Sequence, residues 1–452
     1  MSILLALPCF SSVLQSENPQ VFVFSREIPS GFLSHGSLSA GWGGIPHLVT
    51  YIFDQSGEVT SQTTATFAGE PVCATDHQSG SVLVCVNCQD DLSRVVHIDD
   101  TAVEEWITVI YGESPDNSAV CSAGSDVIFA GDNAGILRVI RLGSQGTVLW
   151  DTNYPSVSLS VRDVCAYNGE VFVLGTNDEP EWERNGCLLV VDSLGESSEL
   201  HTIFSGEGRF SPEAIAVDSR GLFILVNAMT PENNMIYEVS LVKLNFELEI
   251  QWTSTLTGAS WDRGTDLIAL PNGGFVVCGW TNSLTPSEMN RSDMILCAFS
   301  ENGAISWERT YGTSHPDYGL SLSAVSDGGF LISGCVTDDS YQGWLVKTDS
   351  LGFLEPQGIS EFSSSLFSAI PLGNPVKNGS LSFLVNTPDS GSCRIVIYDM
   401  TGRVVLNRAA ELFSGENNLS FSAAVPSGIY SVRVSSGVYQ SAFRFVVCEG
   451  GE

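Results

Sequence analysis

Apolar residues fall in short runs along almost the whole chain, such as VLVCVNC at 82–88, GFVVCGW around Cys278 and MILCAF around Cys297. None keeps the 3.6-residue spacing of an amphipathic helix, and Gly, Asp, Asn and Ser separate them, so they predict short β-strands joined by tight turns. The strands repeat. Asn272 to Gly279 reads NGGFVVCG, and Asp327 to Gly334 reads DGGFLISG, 55 positions later. Asp192-Ser-Leu-Gly195 recurs unchanged at Asp349-Ser-Leu-Gly352, and a tryptophan follows four residues after Gly146 and Gly303, at Trp150 and Trp307. Trp106 and Trp252 hold the same place in their own repeats. The residues that end the second strand of each repeat are Gly41, Val86, Gly131, Gly175, Val226, Gly279 and Gly334, at intervals of 45, 45, 44, 51, 53 and 55. A period of this length carrying four short strands belongs to a propeller blade. Residues 20–356 are therefore expected to form an all-β, seven-bladed β-propeller with its tryptophans packed between blades. The seventh repeat ends at GFLEPQG without its Trp-bearing strand, and Val21 to Glu27 (VFVFSRE) is expected to supply it and close the ring.

The pattern changes at both ends. Ile3 to Leu14 is apolar but too short to span a bilayer, where about 20 residues are needed, so residues 1–19 are expected to be a signal peptide. No other segment is expected to cross a membrane. A Ser-rich stretch, 357–371, reads as a linker. Residues 372–449 lose the blade period and carry two hairpins, one turning at Asp399-Met-Thr-Gly402 and one at Ser435-Ser-Gly437. Several short strands in so few residues predict a small, immunoglobulin-like β-sandwich.

Charge narrows the partners. The chain has 52 acidic and 19 basic residues, a net charge of -33. Such a surface repels phosphate backbones, which excludes nucleic acid as a partner. From residue 372 onward six acids meet six bases, so the acidity belongs to the preceding residues. The twelve cysteines sit mostly inside apolar runs and are expected to be buried thiols. Cys85 and Cys88 form a CxxC without a second pair at zinc-ligand spacing, so no metal site is expected there.

No HExxH, GxSxG, P-loop or GxGxxG signature is present, which favours binding over catalysis. Asp262 and Asp317 share an Asp-x-Gly pattern ahead of the innermost strand, where they would either line the channel mouth or cap a turn. Trp42 and Trp280 share another repeat position, and Trp182 lies in a longer loop, Glu181 to Arg184. Exposed aromatic rings beside carboxylates suit a sugar, so the expected ligand is a carbohydrate or a protein. The alternative is a hydrolase or lyase acting on polysaccharide or peptide through paired channel-mouth carboxylates. No cofactor is expected, with calcium at loop pairs such as Asp338-Asp339 as a weaker option.

Two resemblances follow from these motifs. Asp327-Gly-Gly-Phe330, Lys347-Thr-Asp349-Ser-Leu-Gly352 and Trp307 to Gly312 resemble the Asp-Gly-Gly repeat of secreted bacterial propellers. Asn374-Pro375, Ile397-Tyr398-Asp399, Gly402-Arg403, Gly428-Ile-Tyr430 and Val432 to Val434 resemble the type A carboxyl-terminal sorting domain of type IX secretion cargo. That second resemblance implies export across the outer membrane of a Gram-negative-type bacterium, with the type IX machinery as partner. The tail Cys448 to Glu452 is more acidic than the usual end of that family.

Overall fold

The computed structural model describes residues 10–13, 20–39, 46–77, 81–88, 92–110, 117–133, 136–177, 184–206, 208–229, 237–256, 262–282, 292–313, 315–337, 341–354, 368–372, 376–377, 380–387, 390–399, 404–422, 426, 428–436 and 439–448. Among them every regular element is a β-strand. The chain divides into two compact units, Met1–Glu355 and Pro356–Glu452.

Within the first unit the described strands form seven four-stranded antiparallel sheets. Their innermost strands are Gln20–Ile28, Gly69–Asp76, Asn117–Ala123, Ser160–Tyr167, Arg209–Asp218, Asp262–Ala269 and Asp317–Ala324. Each packs against the next, and the last packs back against the first, so the sheets close a ring: a β-propeller. Second and third strands are almost wholly buried, as in FVVCGWT and DMILCAF, whereas outermost strands such as Ile305–Tyr311 alternate exposed and half-buried. Fully buried strands read as continuous apolar runs for this reason.

Closure differs from expectation in its donor. Val21 to Glu27 lies in the innermost strand of the first sheet, and Phe10–Val13 completes the seventh sheet instead, antiparallel to Tyr341–Thr348. Trp344 Nε1 donates to Ser11 Oγ at 2.8 Å across that seam. The swap has a simple cause. Phe22 and Phe24 are buried, and an outermost strand offers no such cover, while the polar Ser11 suits an exposed edge. Residues 1–19, read as a leader, thus include a strand of the ring. The first repeat mark also moves: Gly36, opposite Phe22, stands where Gly279 stands opposite Gly264, and Gly41 lies outside the described residues.

Neighbouring sheets are joined at their rims by tryptophan. Gly146, Gly195, Gly303 and Gly352 sit in turns with φ of 72°, 73°, 82° and 73°. A Cβ on Gly352 would lie 2.7 Å from Trp307 Cζ3, and one on Gly195 would lie 2.8 Å from Trp150 Cε3. Trp106 and Trp252 underlie Gly146 and Gly303 in the same way. Aspartate shapes two of these turns, through Asp192 and Asp349: Asp349 Oδ1 accepts the N–H of Leu351 at 2.9 Å and of Phe353 at 2.8 Å. The outermost strands Val59–Thr64 and Ser198–Phe204 carry no tryptophan. The turns set against them carry Ala102 and Leu248 in place of glycine, with φ of 65° and 63°.

Closer to the axis every junction has a polar tie. Arg26 Nη1 donates to Ser81 O at 3.0 Å, Ser122 Oγ to Asp76 O at 2.6 Å, and the Val161 N–H to Asp132 Oδ1 at 3.3 Å. Asp163 Oδ2 accepts the Ile215 N–H at 2.8 Å, and Asp266 Oδ2 accepts the Leu322 N–H at 2.7 Å. Asn227 exchanges two bonds with the Gly264 backbone, both 2.9 Å, and Ser323 Oγ donates to Ser25 O at 2.7 Å. Burial pushes the Asp163 carboxyl up to about 7 and that of Asp266 up to about 6.

The second unit is a β-sandwich. Ser368–Pro371, Ser380–Thr387 and Gly415–Ser422 form one sheet. Val376–Lys377, Tyr439–Cys448, Gly428–Ser436, Gly391–Asp399 and Val404–Leu412 form the other, in that order. Phe383, Val385, Ile395, Ile397, Val432 and Val434 make its core. Ser368–Pro371, inside the stretch read as linker, is a strand of the first of these sheets.

Three outcomes follow. Gly352→Ala adds a ring overlap to the left-handed backbone penalty and should cost about 3 kcal/mol. Gly124→Ala, at φ 69° with open space around it, should cost only about 1 kcal/mol. Equal costs in urea unfolding would remove the indole contact from the explanation. A chain beginning at residue 20 leaves the edge Tyr341–Thr348 uncovered, and should melt earlier and self-associate on size-exclusion chromatography. Asp163 and Asp266 have folded pKa values above the ordinary carboxyl value, so their contribution to stability is full below about pH 4 and is lost as pH rises through 6 to 7. The urea midpoint should therefore fall from pH 5 to 8, and less steeply in Asp163→Asn; parallel profiles would contradict the assignment.

Candidate functional site

Asp262 and Asp317 occupy one structural position. Asp262 stands opposite Thr281 and Asp317 opposite Val336, each two residues before the glycine that faces the next strand's glycine. Both are buried, at 7% and 0% exposure. The Asp262 carboxylate accepts the Thr281 hydroxyl, and Asp317 accepts the Thr313 N–H at 2.6 Å and its hydroxyl at 3.0 Å. Asp317 is bonded to the turn that leads into its strand, and Asp262 to the threonine opposite it on the next strand.

The predicted aromatics separate. Trp42 and Trp182 lie outside the described residues, as do Asp338 and Asp339. Trp280 is half-buried on the strand Phe275–Thr281, and its ring meets Tyr318 edge to face, with centroids 5.6 Å apart at 90°. Tyr318 follows Asp317 on the innermost strand of the seventh sheet, so the contact bridges two sheets. Trp280 is directly opposite Arg263, which places their side chains side by side on one face. The Arg263 guanidinium lies over the Tyr237 ring at 5.3 Å and pairs with Glu213 Oε1 at 3.1 Å. Glu213 also accepts Ser211 Oγ at 2.9 Å and Asn227 Nδ2 at 3.2 Å.

A row therefore runs from Tyr237 through Arg263 and Trp280 to Tyr318, across the fifth, sixth and seventh sheets. Arg263 and Tyr318 lie near the start of innermost strands, Trp280 near the end of a second strand and Tyr237 at the start of a third, which puts the row at one end of the ring. All four are half-buried, each with a face or edge reaching solvent. Sequence reasoning found Trp280 but missed its companions. Arg263 and Tyr318 each directly follow a predicted aspartate, and their alternation along the strand with the buried Asp262 and Asp317 was the available signal.

Asp163 and Asp266 were also missed. Both are half-buried on innermost strands, just after a β-bulge. Asp163 Oδ1 accepts the Val164 N–H at 2.8 Å and Asp266 Oδ1 that of Leu267 at 2.7 Å, so each carboxylate is bonded through both oxygens, one within its own sheet and one across a junction. These are scaffold contacts. Among the described residues no group of three or more His, Cys, Asp or Glu is arranged to hold a metal ion.

In the second unit Tyr398 stands opposite Ser431 and Asp399 opposite Tyr430, at the joined ends of two central strands. Gly428 pairs with Val447. Tyr430 is buried, and its hydroxyl donates to Pro426 O at 2.8 Å, fixing the entry to its strand. Asn374, Pro375, Gly402 and Arg403 lie outside the described residues.

Comparison with known proteins separates the two units. No curated protein matches the chain by sequence. The Dos1 propeller is 11% identical, covering 75% of this chain and 95% of its own, with a TM-score of 0.45. The β-propeller domain of the Trilobed protease from Pyrococcus furiosus, described as having an open velcro topology, is 8% identical, covering 76% and 98%, with a TM-score of 0.45. A protein of unknown function from Bacteroides caccae is 15% identical, covering 65% and 94%, with a TM-score of 0.41. The ring itself rests on this chain's own strand pairing. Residues 374–448 match the family described as the secretion system C-terminal sorting domain, and they include every strand of the larger sheet of the second unit. The carboxyl-terminal unit is thus a type IX secretion sorting domain, and its chain is exported to the cell surface or extracellular space of a Bacteroidetes-type bacterium.

Proposed function

We propose that the ring is a binding body carried outside the cell by its sorting domain, and that it takes a carbohydrate at the row Tyr237–Arg263–Trp280–Tyr318. The row is the observation that carries this reading. Aromatic faces stack on the apolar faces of pyranose rings, and the guanidinium and carboxylate of Arg263 and Glu213 offer donors and acceptors to hydroxyls. The Glu213 pair holds the guanidinium in place, so little side-chain entropy is lost on binding. Net acidity disfavours a polyanionic ligand and leaves neutral polysaccharide as the fitting class.

The test is titration of the full chain against a panel of neutral and acidic polysaccharides. A neutral glycan should bind, and Trp280→Ala or Tyr318→Ala should weaken it at least tenfold, about 1.4 kcal/mol, while the thermal midpoint shows the ring still folded. Binding unchanged in both variants, or a preference for polyanions, would refute the site.

A further inference from the structure

Ten cysteines are described as free thiols, in a chain that is exported. Their registers set one pair apart. Cys73, on the innermost strand Gly69–Asp76, stands directly opposite Cys85 on Val82–Cys88. Every other described cysteine faces a different residue type: Cys121 faces Ile128, Cys165 faces Phe172, Cys278 faces Asp266 and Leu296, and Cys335 faces Tyr318 and Gly343. Directly opposed residues in an antiparallel pair have Cβ atoms about 4.5–5.5 Å apart, and a disulfide needs about 3.5–4.5 Å. A small adjustment suffices, and the β-bulge between Pro71 and Cys73 gives the strand room for it. Cys85 Sγ lies 3.3 Å from Ser118 Oγ, and the neighbouring Cys85 thiol, with burial, holds the Cys73 thiol well above its ordinary pKa. Cys85 and Cys88, by contrast, are three positions apart on one strand and point to opposite faces, so the CxxC is no dithiol.

We propose that Cys73 and Cys85 are a disulfide site, closed outside the cell by exchange with a low-molecular-weight disulfide, which ties the innermost strand of the second sheet to its neighbour. Cys73 is half-buried and Cys85 fully buried, so exchange begins at Cys73. The Cys73 thiolate attacks one sulfur of RS–SR, forming a mixed disulfide; the released RS⁻ takes up the proton that Cys73 lost. The Cys85 thiolate then attacks the Cys73 sulfur, the cross-strand S–S bond forms, and the second RS⁻ leaves and is protonated by the proton from Cys85. Two protein thiols are oxidised and one RS–SR is reduced to two RSH. The high Cys73 pKa makes the exchange slow, since the thiolate is the nucleophile.

The experiment is alkylation of the full chain with iodoacetamide under denaturing, non-reducing conditions, followed by digestion and mass spectrometry. Protein collected from the exporting cells, and purified protein incubated with oxidised glutathione, should each yield a linked peptide pair containing Cys73 and Cys85. Both residues should become alkylated only after reduction. Cys73→Ser should leave Cys85 alkylated in every sample. Alkylation of both residues in exported and glutathione-treated protein would overturn the proposal, and so would a link from Cys85 to any other cysteine.

Discussion

An indole face with a glycine turn resting on it is the contact that sets the spacing of this ring. The outermost strand of one sheet presents a tryptophan, and the turn of the next comes down on it without a Cβ. The turn must then adopt a left-handed residue, and at Gly195 and Gly352 an aspartate three positions earlier satisfies the backbone N–H groups that the conformation turns inward. Further bonds cross the same rim: Tyr311 donates to Gly352 O at 2.7 Å, Tyr154 to Gly195 O at 3.1 Å, and Trp150 Nε1 to Ser193 O at 3.0 Å. Glycine and tryptophan belong to different sheets, so the motif describes an interface and not a strand. Opposite two of the outermost strands that lack the tryptophan, Val59–Thr64 and Ser198–Phe204, the turn carries Ala102 or Leu248 in place of glycine.

The acidity of the chain acquires a second meaning in this setting. Asp54, Asp99, Asp192 and Asp349 shape turns, Asp132, Asp163 and Asp266 join sheets, and Asp262 and Asp317 are bonded at the starts of innermost strands. Asp327 pairs with Lys347 at 2.8 Å, with the lysine fully buried in the wall of the last sheet. Many carboxylates are therefore internal acceptors for backbone donors that a ring of short strands leaves unpaired at its bends. This division also separates chemistry from framework. Asp262 and Asp317 are bonded within the ring, and the half-buried positions beside them hold Arg263 and Tyr318.

The period, the tryptophan role and the sandwich were legible because each depends on residue identity at fixed spacing. NGGFVVCG and DGGFLISG carry their fold in their letters. The closing strand was not legible, because four residues without a distinctive pattern can complete an edge as well as a longer apolar segment can. VFVFSRE looked like an orphan only because its own sheet begins with it. The first repeat lacks the flanking motif that marks the others, so nothing in its letters singles out Gly36. Cross-strand partners such as Cys73 with Cys85, or Tyr318 with Trp280, come from register and from contact between sheets, which a linear pattern does not encode.

The seam between Phe10–Val13 and Tyr341–Thr348 gives the ring a temporal order. Ser11 meets Trp344 across 333 positions of chain, so this seam pairs two strands from opposite ends of the ring's sequence. Six sheets can form from neighbouring segments as they appear, but the seventh waits for the far end of the chain. Until then the circle is an open arc with two unsatisfied rims, and a pairing this distant is slow to form.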